Sequence, residues 1–222
     1  MARPIVHDEA LRRRLLDTAA SLIARDGAAS VSLRSIAAAA GTSTTAVYSL
    51  FGGKAELLTA VLDDGFASFA ASQQEAAAAG LEALGRAYRT WALEHPVLYG
   101  LMFGGSLAGQ VPCRPTPGAA EPSIAPLFAA VAAALPGAAD DEIASMVGVV
   151  WGQVHGLVSL ELAGAPAAGW TWDAAYGAAL RQIGRSLGRQ ERSVLNRPAP
   201  KASAGSRRKS GSRDDRPAGP LV

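Results

Sequence analysis

Residues 32–58, SLRSIAAAAGTSTTAVYSLFGGKAELL, pack two helix starts and two glycine stops into 27 residues, so only short helices fit there. Ser32 is an N-cap residue type, and Leu33, Ile36 and Ala37 recur at i, i+3 and i+4 behind it. The alanine run then meets Gly41, suited to the left-handed turn that closes a helix. Thr42 or Ser43 re-caps a second short helix, TTAVYSLF, in which Val47, Leu50 and Phe51 share a face. Two short helices joined by a few residues including a glycine make a helix-turn-helix. Ala37, Ala38 and Gly41 are small enough for the two axes to cross closely.

The outward side of the second helix carries Thr44, Thr45 and Tyr48 rather than the Glu and Lys of a solvated face. Short hydroxyls and a phenol reach base edges and phosphate oxygens without long flexible arms. Arg34 and Lys54 add positive charge at either edge, and Gly52-Gly53 places the start of a third helix at Lys54. The free N–H groups and positive dipole end of such a start suit a phosphate.

A long first helix, Leu-Arg-x-Ile-Ala, Gly-Thr-Ser, a Tyr in the second helix, Phe-Gly-Gly-Lys and Glu-Leu-Leu follow one another in register across residues 9–62. This order resembles the TetR/AcrR family of bacterial one-component transcriptional regulators. The resemblance implies that Arg34, Ser43, Thr44, Thr45, Tyr48 and Lys54 fall at positions that contact DNA in that family.

Charge is divided unevenly along the chain. Residues 1–54 hold seven Lys/Arg against four Asp/Glu, residues 55–194 seven against thirteen, and residues 195–222 seven against two. A basic head and tail around an acidic body direct the two ends to a polyanion. With 49% hydrophobic residues, 222 residues can bury a substantial core. No uncharged apolar run reaches the roughly 18 residues of a membrane span. No apolar region follows the basic N-terminus, so secretion is not expected. Cys113 is the one cysteine, which fits a reducing cytoplasm.

Residues 1–7 read as a flexible arm with Arg3 as its one charge, either free or phosphate-directed. A helix follows from Asp8 to Asp26, with Leu11, Leu15, Ala19, Leu22 and Ile23 inward. Arg12, Arg13 and Arg14 form its solvated or DNA-facing side, and Gly27 closes it. A long helix runs from Lys54 to about Ala79 with Leu57, Leu58, Val61, Leu62, Phe66 and Phe69 inward. Helices over 81–94, 96–103, 124–135, 140–163 and 172–190 follow, with a Pro-rich loop over 104–123 expected to be a mobile flap. Beyond residue 194 the apolar side chains run out and a disordered basic tail is expected, its Arg207-Arg208-Lys209 run either solvated or DNA-directed.

Trp151, His155 and Gly156 resemble the Trp-x3-His-Gly signature of the WHG type of regulatory domain in that family. Gly148, Gly152 and Gly156 form a small-residue line extended by Ser159, and Gly177, Gly184 and Gly188 repeat the trait on the last helix. An interior glycine costs a helix about 1 kcal/mol relative to Ala, so close approach of another helix is the compensation, from this subunit or a partner. The family resemblance implies a four-helix homodimer interface there. Tyr88, Trp91, Tyr99, Met102, Phe103, Phe128, Met146, Trp151 and His155 are candidates to line a cavity for a small, largely apolar molecule. The same residues at helical spacing also suit an ordinary core, and His155 also suits a hydrogen-bonded core position.

Catalytic chemistry finds no constellation. His7, His95 and His155 lie on separate elements, Cys113 has no histidine near it in sequence, and no zinc spacing or G-x-x-x-x-G-K-[ST] loop occurs. The nearest hydrolase-like string, Gly104-Gly105-Ser106-Leu107-Ala108, ends in Ala and follows no strand pattern. Neither an enzyme, a cofactor, a metal nor a membrane partner is expected. The expected fold is all-α: a three-helix N-terminal head (1–54) containing the helix-turn-helix, then a ligand-binding and dimerising antiparallel bundle of about six helices (55–194), then the tail (195–222). The expected function is a cytoplasmic, nucleoid-associated regulator, a repressor holding a palindromic DNA operator as a homodimer and released by an inducer. The alternative is a helical protein-interaction or small-molecule-binding module that does not act through DNA.

Overall fold

The computed structural model describes residues 5–103 and 114–195. Arg3, the segment 104–113 with Cys113 and the hydrolase-like string, and the tail from residue 196 with its 207–209 run lie outside the described residues. Among the described residues all regular structure is α-helical: α1 (Ile5–Asp26), α2 (Leu33–Ala39), α3 (Thr44–Phe51), α4 (Lys54–Ala77), α5 (Leu81–Glu94), α6 (Pro96–Phe103), α7 (Glu121–Ala134), α8 (Asp140–Leu162) and α9 (Trp172–Leu195).

Local signals set the head. The Ser32 hydroxyl accepts from the Ser35 N–H while Ser35 accepts from the Ser32 N–H, both at 3.0 Å, a reciprocal cap with Ser in the place of Glu. Gly41, at φ +66°, ends α2 and allows the Thr42 N–H to reach the Ala37 carbonyl at 2.9 Å. Ser43, not Thr42, then caps α3, its hydroxyl accepting from the Ala46 N–H at 3.1 Å. Val47 is fully buried against Leu15, Ile36 and Ala37, and Leu50 and Phe51 pack at the edge of the same core.

That core does not stop where the head's sequence signals stop. Leu57, Leu58, Val61 and Leu62, from the first turns of α4, and Leu101 of α6 belong to it. A second core joins Phe69 of α4 to Tyr88, Trp91 and Ala92 of α5, Val131 of α7, Val147, Val150, Val154 and Val158 of α8, and Tyr176, Leu180 and Ile183 of α9. α4 therefore enters both cores. Between them, at Gly65, an added Cβ would meet the Met102 sulfur at 2.9 Å, so the Met102 side chain of α6 packs directly on the bare backbone of α4.

Three boundaries differ from the sequence reading. α1 begins at Ile5, inside the expected arm, and α9 runs on to Leu195 rather than stopping near residue 190. α7 begins at Glu121, before the expected end of the Pro-rich loop, because Pro122 falls in the first turn, where a missing N–H costs nothing. The described end of that loop is tied to α4: Thr116 donates from its N–H and hydroxyl to the Asp63 carboxylate at 2.8 and 2.6 Å, and Thr59 donates to the Arg114 carbonyl at 3.0 Å. α8 is long and apolar enough to cross a membrane by length and composition alone, and 22% of that apolar window is buried.

Candidate functional site

Burial of Val47 turns the opposite side of α3 outward. Thr45, Tyr48 and Ser49 are exposed there, Tyr48 by 55%, and Thr44 is half-buried beside them. Tyr48, Thr45 and the exposed Arg34 have no side-chain partner among the described residues. Ser43 spends its oxygen on the cap, leaving its O–H as a donor. Lys54 is half-buried, its Nζ drawn to the Ala29 carbonyl at 3.5 Å. The start of α4 is less open than its glycines imply. Gly53 offers no side-chain cap, and the Glu56 carboxylate folds back so that a Cβ on Gly53 would lie 2.6 Å from its Oε2. A phosphate arriving there has to displace Glu56.

The Arg12–Arg14 run divides. The Arg12 guanidinium lies over the Phe51 ring, 4.9 Å from its centroid, and Arg13 pairs with Asp64 at 2.7 Å. Arg12 ties α1 to α3 and Arg13 ties it to α4, and Arg14 is left exposed.

In the body, two largely apolar cavities of about 330 and 300 Å³ lie side by side and share Gln73, Tyr88, Leu127 and Trp151 as walls. The first runs on between α5, α8 and α9 along Leu84, Val154 and Ile183; the second is closed by Phe66, Phe69, Met102, Phe103 and Ile124. Of the residues expected to line a cavity, Tyr88, Met102, Phe103 and Trp151 do.

Tyr99 and His155 stand one layer behind. The Tyr99 and Tyr88 phenol oxygens lie 2.8 and 2.9 Å from His155 Nδ1, and Ser159 Oγ lies 3.3 Å from Nε2. Burial holds the imidazole below its ordinary pKa and both phenols above theirs. A neutral ring accepts one phenol O–H at Nδ1 and donates from Nε2 to Ser159, while the Tyr88 hydroxyl can donate to the Tyr99 oxygen at 3.3 Å.

Three further expectations need correcting. Phe128 is 39% exposed and lines neither cavity; one residue along a helix is about 100° around it, so Leu127 faces in and Phe128 faces out. Trp91 is buried but turned to α4, its indole N–H donating to Ser68 Oγ at 3.1 Å. Met146 packs at the edge of the second core, one turn before the walls that α8 supplies. Sequence reasoning passed over Gln73 as a wall. Its signal was present: Phe66, Phe69 and Gln73 recur at i, i+3 and i+7 on the inner face of α4.

The glycine lines resolve in part. An added Cβ on Gly148, Gly152, Gly156, Gly184 or Gly188 meets nothing within 4 Å among the described residues, so no described helix fills those grooves, and Gly184 opens on the first cavity. Gly177 meets the Arg181 guanidinium at 3.4 Å, and Ser159 is turned inward to Tyr99 and His155 rather than along the line. Val149 and Leu160, 61% and 52% exposed, lie along the same helix as Gly148, Gly152 and Gly156. Across α5, α8 and α9, Arg89 makes a two-pronged ion pair with Glu161, both bonds 2.8 Å, and a third bond to Asp173 at 2.9 Å.

Comparison with known proteins agrees with this arrangement. A model for the tetR family of bacterial regulatory proteins matches residues 15–61, and one for the tetracyclin repressor-like C-terminal domain matches residues 81–183. The HTH-type transcriptional regulator Rv1816 of Mycobacterium tuberculosis is 32% identical over an alignment 133 residues long that covers 56% of this chain and 53% of that protein. The chain thus spans about half the length of the curated relatives it matches. Among solved structures, SCO4313 is 29% identical with a TM-score of 0.71, covering 82% of this chain and 98% of that one. A Rhodococcus sp. RHA1 protein of unknown function is 30% identical with a TM-score of 0.64, covering 80% and 95%. The head that presents α3 and the body that encloses the cavities are the two halves of one design, and the chain belongs to the TetR family of DNA-binding helix-turn-helix transcription regulators.

Proposed function

We propose that this chain is a repressor that holds a palindromic operator as a homodimer in the cytoplasm and releases it when a small, largely apolar inducer enters the body. α3 lies in the major groove, with Thr44, Thr45 and Tyr48 at base edges and phosphates and with Arg34, Ser43 and Lys54 on the backbone to either side. The two copies of α3 are about 34–36 Å apart, or a small multiple of that, as the half-sites of a two-fold operator demand.

The observation that carries this reading is the course of α4. Leu57, Leu58, Val61 and Leu62 are fixed in the core that positions α3, and Phe66, Phe69 and Gln73 wall the body cavities one to three turns later. A tilt of α4 forced by an occupant moves the head. A coupling of about 1–3 kcal/mol between the sites gives a 5–150-fold loss of operator affinity. The unfilled glycine grooves of α8 and α9, with Val149 and Leu160 exposed beside them, support their use against a second copy.

The test is binding of the full-length protein to duplex DNA from its own promoter region across a salt series. Repressor binding gives a log–log slope of about −0.9 per phosphate contact. Failure to retard that DNA at low salt, or a monomer in sedimentation at the same concentration, overturns the proposal.

A further inference from the structure

We infer that the molecule taken by the body is elongated and apolar with a neutral carbonyl near its middle, and that the side-chain amide of Gln73 is the donor that holds it. The inference rests on the regulator reading for what binding accomplishes. Gln73 is only 4% exposed, and its Nε2 is the one buried side-chain nitrogen or oxygen without a hydrogen-bond partner among the described residues. Leaving a buried donor unpaired costs about 1–3 kcal/mol, a cost that an apolar residue at this position avoids. A free donor is therefore expected to have a use. Gln73 walls both cavities, and the terminal amide torsion of Gln is broad, so a turn about it presents the N–H groups to either space.

The neighbours fix what the donor can meet. The Tyr88 hydroxyl is engaged with His155 and Tyr99, and the Ser123 hydroxyl donates to the Ala120 carbonyl at 2.6 Å. The Trp151 indole N–H, the other donor in the shared wall, is directed at the Tyr88 phenol, which leaves the amide of Gln73 as the unengaged donor at the waist between two apolar chambers. The charged residues that line the first chamber, Glu82, Arg181 and Arg185, are exposed at its rim. A carboxylate at the waist would be buried without a counter-charge, which is prohibitive, whereas a ketone, ester or amide oxygen needs only the one hydrogen bond. An apolar arm on each side of that oxygen fills one chamber.

The experiment uses the full-length protein and two probes of equal length, 6-undecanone and undecane. Binding is followed by calorimetry and by intrinsic tryptophan fluorescence, to which Trp151, in the wall shared by both chambers, contributes. The quantity read is the ratio of ketone to alkane affinity, in the natural protein and in Gln73→Met. Loss of one net hydrogen bond should lower that ratio about tenfold in the variant, with alkane affinity unchanged. The melting temperature of ligand-free Gln73→Met should equal or exceed that of the natural protein, because an unpaired polar group has been removed. An unchanged ratio, a fall in melting temperature that reveals a partner for the amide, or failure of both probes to bind overturns the inference. Promoter retardation by the ligand-free natural protein, measured on the same preparation, reports on the regulator reading separately.

Discussion

The phenol oxygen of Tyr88 lies 2.9 Å from Nδ1 of His155, across 67 residues of sequence, and joins the cavity wall on α5 to the signature histidine of α8. His155 is thus the hub of a buried polar cluster, its contacts to Tyr88, Tyr99 and Ser159 crossing three helices. Burial favours its neutral form, so protonating the ring within the cluster costs more than protonating it in water.

Acid should weaken the body through this residue. A histidine held below its ordinary 6.5 binds fewer protons folded than unfolded. Its contribution is complete above that value and is lost as pH falls through the lower folded value. The gap in urea midpoint between the natural protein and His155→Gln should therefore narrow between pH 7.5 and pH 5.5; a constant gap would mean that the ring is not held neutral.

Arg89→Met should destabilise the body by about 2 kcal/mol, because it strands the Glu161 carboxylate. The side chains of the pair are only 19% and 15% exposed, unlike the open Arg86–Glu82 pair, whose loss should be worth a few tenths. Urea unfolding with an unchanged slope reads the difference, and equal losses at the two pairs would refute it.

Arg34→Ala should weaken operator binding on all sequences alike and shrink the salt slope by about 0.9, the signature of one fewer phosphate neutralised. Thr45→Ala should instead change which bases are preferred at one position of each half-site. Anisotropy titrations on an operator and its single-base variants distinguish the two. A Thr45→Ala protein with the original preferences places Thr45 off the bases.

Gly152→Glu should leave the helical content of the chain unchanged, since among the described residues no atom lies within 4 Å of a Cβ placed on Gly152. It should dissociate the dimer in sedimentation and lower operator affinity with it. A dimer that survives the substitution would move the interface elsewhere.

The head was legible because its signals are short-range. Caps, glycine turns and an i, i+3, i+4 stripe each act within one or two turns, and the structure only had to choose Ser43 over Thr42. The cavity was legible as a set of aromatic residues but not as a surface. Whether Leu127 or Phe128 faces inward depends on a rotation of α7 that tertiary packing sets and composition does not reveal. Gln73 escaped notice because a lone polar residue on an apolar face gains meaning only when its lack of a partner is seen.

The seat of Met102 on the bare backbone of Gly65 has a mechanical outcome. That thioether is at once lining for the inner chamber and a pawl against the rod that carries the reading head. On the proposed reading, a guest that crowded the sulfur would bear on the rod at mid-span, with no relay of intermediate side chains.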